Sequence, residues 1–168
     1  VGLCASAAGM EALEAFVKKL QPNSGMAYII IQHLSPDYKS LMTEILSKKT
    51  DLRVHQVVEG MQVETDNIYL IPPKKNLKIF NGKLTLSEHV QQNRGMNYPI
   101  DMFLQSLAED QGKKAIGIIL SGTGSDGSRG IRDIHDAGGV VIAQSEETAK
   151  FDGMPRSAIE TGIVDEIL

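Results

Sequence analysis

The chain has 168 residues, 42% of them hydrophobic, which predicts one packed domain over residues 1–168 and excludes a disordered or low-complexity segment. The net charge of −4, with no Lys/Arg run, argues against a nucleic-acid surface, and no apolar run is long enough to insert across a bilayer. A single cysteine, Cys4, excludes an internal disulfide framework and fits a reducing compartment, so a cytoplasmic location is expected.

The chain opens inside a strand-like run, which predicts a piece of a longer protein. That run breaks at Ser6 into a turn crowded with small residues, Ala5 to Gly9. Met10, Leu13, Phe16, Val17 and Leu20 then recur at helical spacing, and Pro22 and Gly25 close the amphipathic helix they predict. Residues 26–31 form a continuous apolar, β-branched run, as in a strand buried on both faces of a parallel sheet, with Gln32 and His33 at its end. Residues 40–49 read as a helix, with Leu41, Ile45 and Leu46 on one face. Residues 54–58 and 68–71 read as short strands, the latter stopped by Pro72 and Pro73. Residues 77–80 and 83–86 flank Asn81-Gly82, the signal of a type I′ β-hairpin, so an antiparallel excursion is expected in this middle region. Residues 91–97 read as a polar loop.

Pro99 suits the first turn of a helix over residues 101–110. Residues 115–120 are a second fully apolar strand, followed by the glycine-rich loop 121–127 and a helix to about Ala137, which Gly138 and Gly139 close. Residues 140–143 form another strand. The loop 151–154 leads into a short helix over 155–159, stopped at Gly162, and residues 163–168 suit an edge element. Strands alternating with helices predict an α/β fold: a doubly wound, mainly parallel sheet flanked by helices, with the hairpin as an excursion.

In such sheets ligands bind beyond the carboxyl ends of the strands. Ser6, His33 and Asp126 each follow an apolar strand there, and together they supply the groups for acyl transfer through a covalent intermediate. The serine is the nucleophile, the imidazole the general base, and the carboxylate its orienting partner. Backbone N–H groups of Ala7 and of the Thr123-Gly124 stretch are the expected oxyanion donors. Each residue also has a plainer use: Ser6 and Asp126 as caps, His33 as a partly buried histidine. His55, His89 and His135 fit structural or solvated roles. Residues 122–127 also satisfy the three-glycine dinucleotide pattern, with Glu146 as a candidate ribose acid, although Asp126 inside the turn opposes a pyrophosphate. A glycine loop that only turns the chain is the third alternative.

Four separated stretches carry a family resemblance. They are Val1-Gly2 through Gly9-Met10-Glu11-Ala12-Leu13; Gln32-His33-Leu34-Ser35-Pro36; Ser121-Gly122-Thr123-Gly124-Ser125-Asp126-Gly127; and Asp152-Gly153-Met154-Pro155-Arg156-Ser157-Ala158-Ile159. In this order they resemble the chemotaxis protein-glutamate methylesterase (CheB) family over essentially the whole chain. Ile71-Pro72-Pro73 and the stretch 107–112 look closest to members fused to a receptor methyltransferase. The resemblance implies hydrolysis of glutamate γ-methyl esters on methylated chemoreceptor helices, with deamidation of receptor glutamines in many members. It carries the triad roles onto Ser6, His33 and Asp126 and implies no metal or organic cofactor. The order Ser, His, Asp differs from the Ser, Asp, His order of α/β-hydrolases. One alternative within the family is a catalytically impaired receptor-binding module, because Cys4 and Ala8 stand where the family usually has glycine. Cys4 is also a rival nucleophile, disfavoured by its place inside the strand. Met154 is expected to touch the docked receptor helix, its competing use being core packing beneath the short helix.

Overall fold

The computed structural model describes residues 1–32, 41–88 and 97–168. The expected loop 91–97 therefore falls largely outside the described residues, as do His33 and His89. Among the described residues seven strands build one parallel sheet in the order β10-β9-β8-β1-β2-β5-β3. In chain order these are β1 (Gly2–Ala5), β2 (Tyr28–Gln32), β3 (Arg53–Gln56), β5 (Asn67–Leu70), β8 (Ile116–Ile119), β9 (Val140–Ala143) and β10 (Glu166–Ile167). The central strands β1 and β2 are buried along their whole length, which is why both read as unbroken apolar runs. Cys4 pairs with Ile31 on one side and Ile119 on the other, so the strands ending near Ser6 and Gln32 run in the same direction.

β3 and β5 correct the expected antiparallel middle region, because both join the main sheet in parallel beyond β2. Local hydrophobic runs mark them as strands but carry no information about partner or direction. The excursion is smaller: β4 (Met61–Gln62), β6 (Lys75–Phe80) and β7 (Lys83–Glu88) form an antiparallel sheet in the order β4-β7-β6. Its hairpin turn has φ of 47° at Asn81 and 71° at Gly82, as a type I′ turn requires. β4 spans two residues, too few for any periodicity to register.

Helices cover both faces of the main sheet. α1 (Met10–Val17) and α2 (Leu41–Ser47) place Leu13, Val17, Met42 and Leu46 against Leu3, Ala5 and Ile30. On the other face α3 (Pro99–Gln111), α4 (Gly130–Asp136) and α5 (Gly153–Ile159) place Phe103, Leu104, Ile131, Ile134 and Ala158 in a core with Cys4, Ile29 and Ile31. The small sheet adds Leu77, Ile79 and Leu84 to that second core. Each such side chain contributes about 1.5–3 kcal/mol when fully buried. The chain passes from β1 to β2 on one side and returns later to lay β8 on the other. The crevice at the carboxyl ends of β1 and β8 is therefore a topological switch point, the usual ligand site of an open α/β sheet.

Candidate active site

β1 ends at Ala5, and the chain turns at Ser6, whose φ of −84° and ψ of 173° are extended, into a 3-10 turn over Ala7–Gly9 and then α1. Ser6 is 6% exposed. Its hydroxyl oxygen accepts the Ala8 N–H at 3.2 Å and the Thr123 N–H at 3.4 Å. Its own N–H donates to the Ser121 carbonyl at 3.4 Å, while its carbonyl accepts the Gly9 N–H at 2.9 Å and Gln32 Nε2 at 2.9 Å. The ends of β1, β2 and β8 thus meet on one residue. Two N–H groups directed at a hydroxyl oxygen favour negative charge there, so the arrangement suits a serine that becomes an alkoxide or carries an adjacent oxyanion.

Cys4 and Ala8 do not strain this turn. The positive-φ residues include none between Gly2 and Gly9, and Gly9 itself has φ of −88°. What the turn needs from glycine is room. A Cβ on Gly9 would overlap the Ser121 carbonyl oxygen and lie 3.2 Å from its carbon and 3.0 Å from Ala5 Cβ. Ala8 is tolerated because its position has no φ > 0 requirement.

The loop after β8 is anchored from behind. Ser121 N–H donates to Gln144 Oε1 at 2.8 Å, Phe151 N–H donates to Ser121 Oγ at 3.0 Å, and Gly122 N–H donates to the Phe151 carbonyl at 2.8 Å. Met154 N–H donates to the Gly122 carbonyl at 2.9 Å. Gly122 is held so close that a Cβ there would overlap Met154 Sδ and lie 2.9 Å from Ser6 N. This corrects the docking expectation for Met154: the side chain is 1% exposed and packs beneath the loop as a core residue, with no surface to offer a docked helix. Gly124 turns at φ of 87°, and its carbonyl accepts Ser157 Oγ at 3.5 Å.

Asp126 is 7% exposed, and its carboxylate caps α3: Oδ1 accepts Asp101 N–H at 2.9 Å and Oδ2 accepts Ile100 N–H at 3.1 Å. Asp101 returns the contact, its Oδ1 accepting N–H bonds from Gly127, Arg129 and Gly130 at 2.9, 3.0 and 2.8 Å. Burial pushes the Asp101 carboxyl up, and the Asp126 charge adds to the rise while the three N–H bonds oppose it. The backbone donors leading into α4 are therefore already held by a carboxylate, and Glu146 is paired with Arg156 Nε at 2.8 Å. Both observations count against the dinucleotide alternative, because the N–H groups that would hold a pyrophosphate and the carboxylate that would hold a ribose are already engaged by the protein's own groups.

The other candidates separate cleanly. Cys4 is fully buried, and desolvation, with the Asp126 charge second, pushes its thiol well above its usual range, so it is no nucleophile. His55 stacks on Tyr69 at 5.3 Å with Nε2 2.8 Å from Asn67 Oδ1, and His135 is exposed on α4. Among the described residues no group of His, Cys, Asp and Glu could hold a metal ion, and no helix is long and apolar enough to cross a membrane. Sequence reasoning missed Gln32 and Asp101. Gln32 is 5% exposed, its amide N–H holds the Ser6 carbonyl, and its Oε1 is buried without a hydrogen-bond partner among the described residues. The available signal was a polar residue ending an unbroken apolar strand. For Asp101 it was an acid in the first turn of a helix.

The sequence model of the CheB methylesterase family matches residues 1–168. A protein-glutamate methylesterase/protein-glutamine glutaminase of Pectobacterium atrosepticum is 32% identical over 172 residues, covering 100% of this chain and 49% of that protein. An uncharacterized 104.1 kDa protein of Rhodobacter capsulatus is 42% identical over 127 residues, covering 76% of this chain and 13% of that protein. The chain spans about half the length of the methylesterase relatives it matches. The crystal structure of the Thermotoga maritima CheB methylesterase catalytic domain superposes with a TM-score of 0.88 at 29% identity, covering 99% of this chain and 90% of that one.

Proposed function

The chain belongs to the CheB methylesterase family, and we propose that it hydrolyses the γ-methyl esters of glutamate side chains on chemoreceptor helices, with Ser6 as nucleophile, His33 as general base and Asp126 as orienting acid. His33 takes the Ser6 proton as Oγ attacks the ester carbonyl. Backbone N–H groups of Ala7 and of the Thr123-Gly124 stretch are taken as the donors that hold the tetrahedral oxyanion. The imidazolium then protonates the departing methoxide, and methanol leaves. Water, deprotonated by the same imidazole, attacks the acyl-enzyme and frees the glutamate carboxylate and Ser6. Glutamine deamidation, part of the relatives' name, follows the same path with ammonia as leaving group.

The observation that carries this reading is the convergence of Ala8 N–H and Thr123 N–H on the buried Ser6 hydroxyl at the switch point of the sheet. The test is methanol release from methyl-esterified receptor by the Ser6→Ala variant. Loss of a triad nucleophile costs roughly three or more orders of magnitude in related chemistry. Melting should stay close to that of the parent. A variant that keeps most of the rate refutes the assignment.

A further inference from the structure

The contact between the start of α3 and the chain entering α4 is a two-carboxylate clasp. Asp126, in the loop before α4, caps α3 through the N–H groups of Ile100 and Asp101. Asp101, in the first turn of α3, holds the N–H groups of Gly127, Arg129 and Gly130. The two segments also touch directly: a Cβ on Gly130 would lie 2.6 Å from Leu104 Cβ and 3.0 Å from Asp101 Cα.

Two of the bonds that aim the Asp126 carboxylate come from the backbone of α3. They fix its direction only as far as α3 is itself fixed to the loop carrying Asp126. Packing of Leu104 and Ile131 holds the helices side by side, but it is non-directional and permits sliding. The three bonds accepted by Asp101 are directional and end on the residue after Asp126, on Arg129 just before α4 and on Gly130, the first residue of α4. An ordinary cap satisfies N–H groups of its own helix. Asp101 instead serves N–H groups of the neighbouring segment, and burial works against its charged form.

We propose that Asp101 is a positioning residue for the esterase reaction: its carboxylate locks the 126–130 segment onto α3 and thereby sets the direction in which Asp126 presents its carboxylate to the general base. The inference rests on the reading of Asp126 as the orienting acid.

The test compares Asp101→Ala, Asp101→Asn, Asp126→Ala and the double alanine variant in methanol release from methyl-esterified receptor, well below each melting transition. Asp101→Ala should lower kcat by roughly tenfold to a hundredfold, the cost of a displaced catalytic group, with KM within about twofold. Asp101→Asn keeps an oxygen for the same three N–H groups and should recover to within about fivefold of the parent. In the Asp126→Ala background the Asp101→Ala change should cost nothing further. A role in stability alone would lower the melting temperature and leave the kcat of folded protein unchanged; that result, or an Asp101→Ala loss in kcat that persists in full in the Asp126→Ala background, overturns the proposal. If Asp101→Ala does not fold, Asp101→Ser, with its shorter acceptor, is carried through the same cycle with the same criteria. Full kcat in Asp126→Ala would instead overturn the triad reading itself, and the positioning role with it.

Discussion

Replacing Gly9 by alanine adds one methyl group where the turn after Ser6 meets the loop after β8. That methyl would overlap the Ser121 carbonyl oxygen, and the neighbouring atoms are backbone or the Ala5 Cβ rather than the tip of a flexible side chain. Ser121 yields little, because its N–H is bonded to Gln144 Oε1 at 2.8 Å and its hydroxyl to Phe151 N–H at 3.0 Å. The 6–9 turn must move instead, by about 1 Å to reach ordinary contact, and a displacement of that size costs on the order of a hundredfold in rate. It also carries Ser6 Oγ out of reach of Thr123 N–H, which now stands at 3.4 Å. Stability changes less. Overpacking costs about 1–3 kcal/mol and the lost hydrogen bond about 1 kcal/mol, while alanine returns about 0.4–1 kcal/mol through the unfolded chain. The net loss of roughly 1–3 kcal/mol lowers Tm by roughly 2–10 °C. The assay is hydrolysis of methyl-esterified receptor and of a small activated ester, beside a thermal melt. Both substrates should slow equally, since on the proposed mechanism the displaced groups act on the ester itself. Rates within about threefold of the parent on both substrates, with an unchanged melt, refute the idea that this close approach builds the site.

Two further outcomes follow from the same turn and the loop behind it. Ala8→Gly should not raise kcat and should lower stability by about 0.5–1 kcal/mol, because no left-handed φ is relieved and unfolded-state freedom increases; a kcat gain, read in the methanol assay, would mean that the turn is strained. Met154→Ala should destabilise by about 2–5 kcal/mol as a core truncation. It should slow receptor and small-ester hydrolysis by the same factor, and a loss confined to the receptor would restore the docking role that burial denies.

The amino-acid sequence by itself determined which segments are strands and helices, apart from the two-residue β4, where the hairpin turns, and which polar residues end apolar strands. These features rest on local periodicity and on residues with special backbone preferences, so they are legible without knowledge of distant neighbours. Ser6 at the tip of β1 and Asp126 in the loop after β8 were visible in this way. Only tertiary structure decided that β3 and β5 run parallel in the main sheet, because a buried apolar run does not encode its partner. The same holds for the contacts that make the site. Thr123 N–H reaches Ser6 Oγ across 117 residues of chain, Gln32 holds the Ser6 carbonyl across 26, and Asp126 caps a helix that begins before it in sequence. Met154 went into the core, and Gly9 rather than Ala8 became the position where glycine is required, because each depends on which backbone lies opposite. A side chain's chemistry is carried by its own residue; its partners are set by the packing of two cores that hold segments far apart in the chain within hydrogen-bond distance.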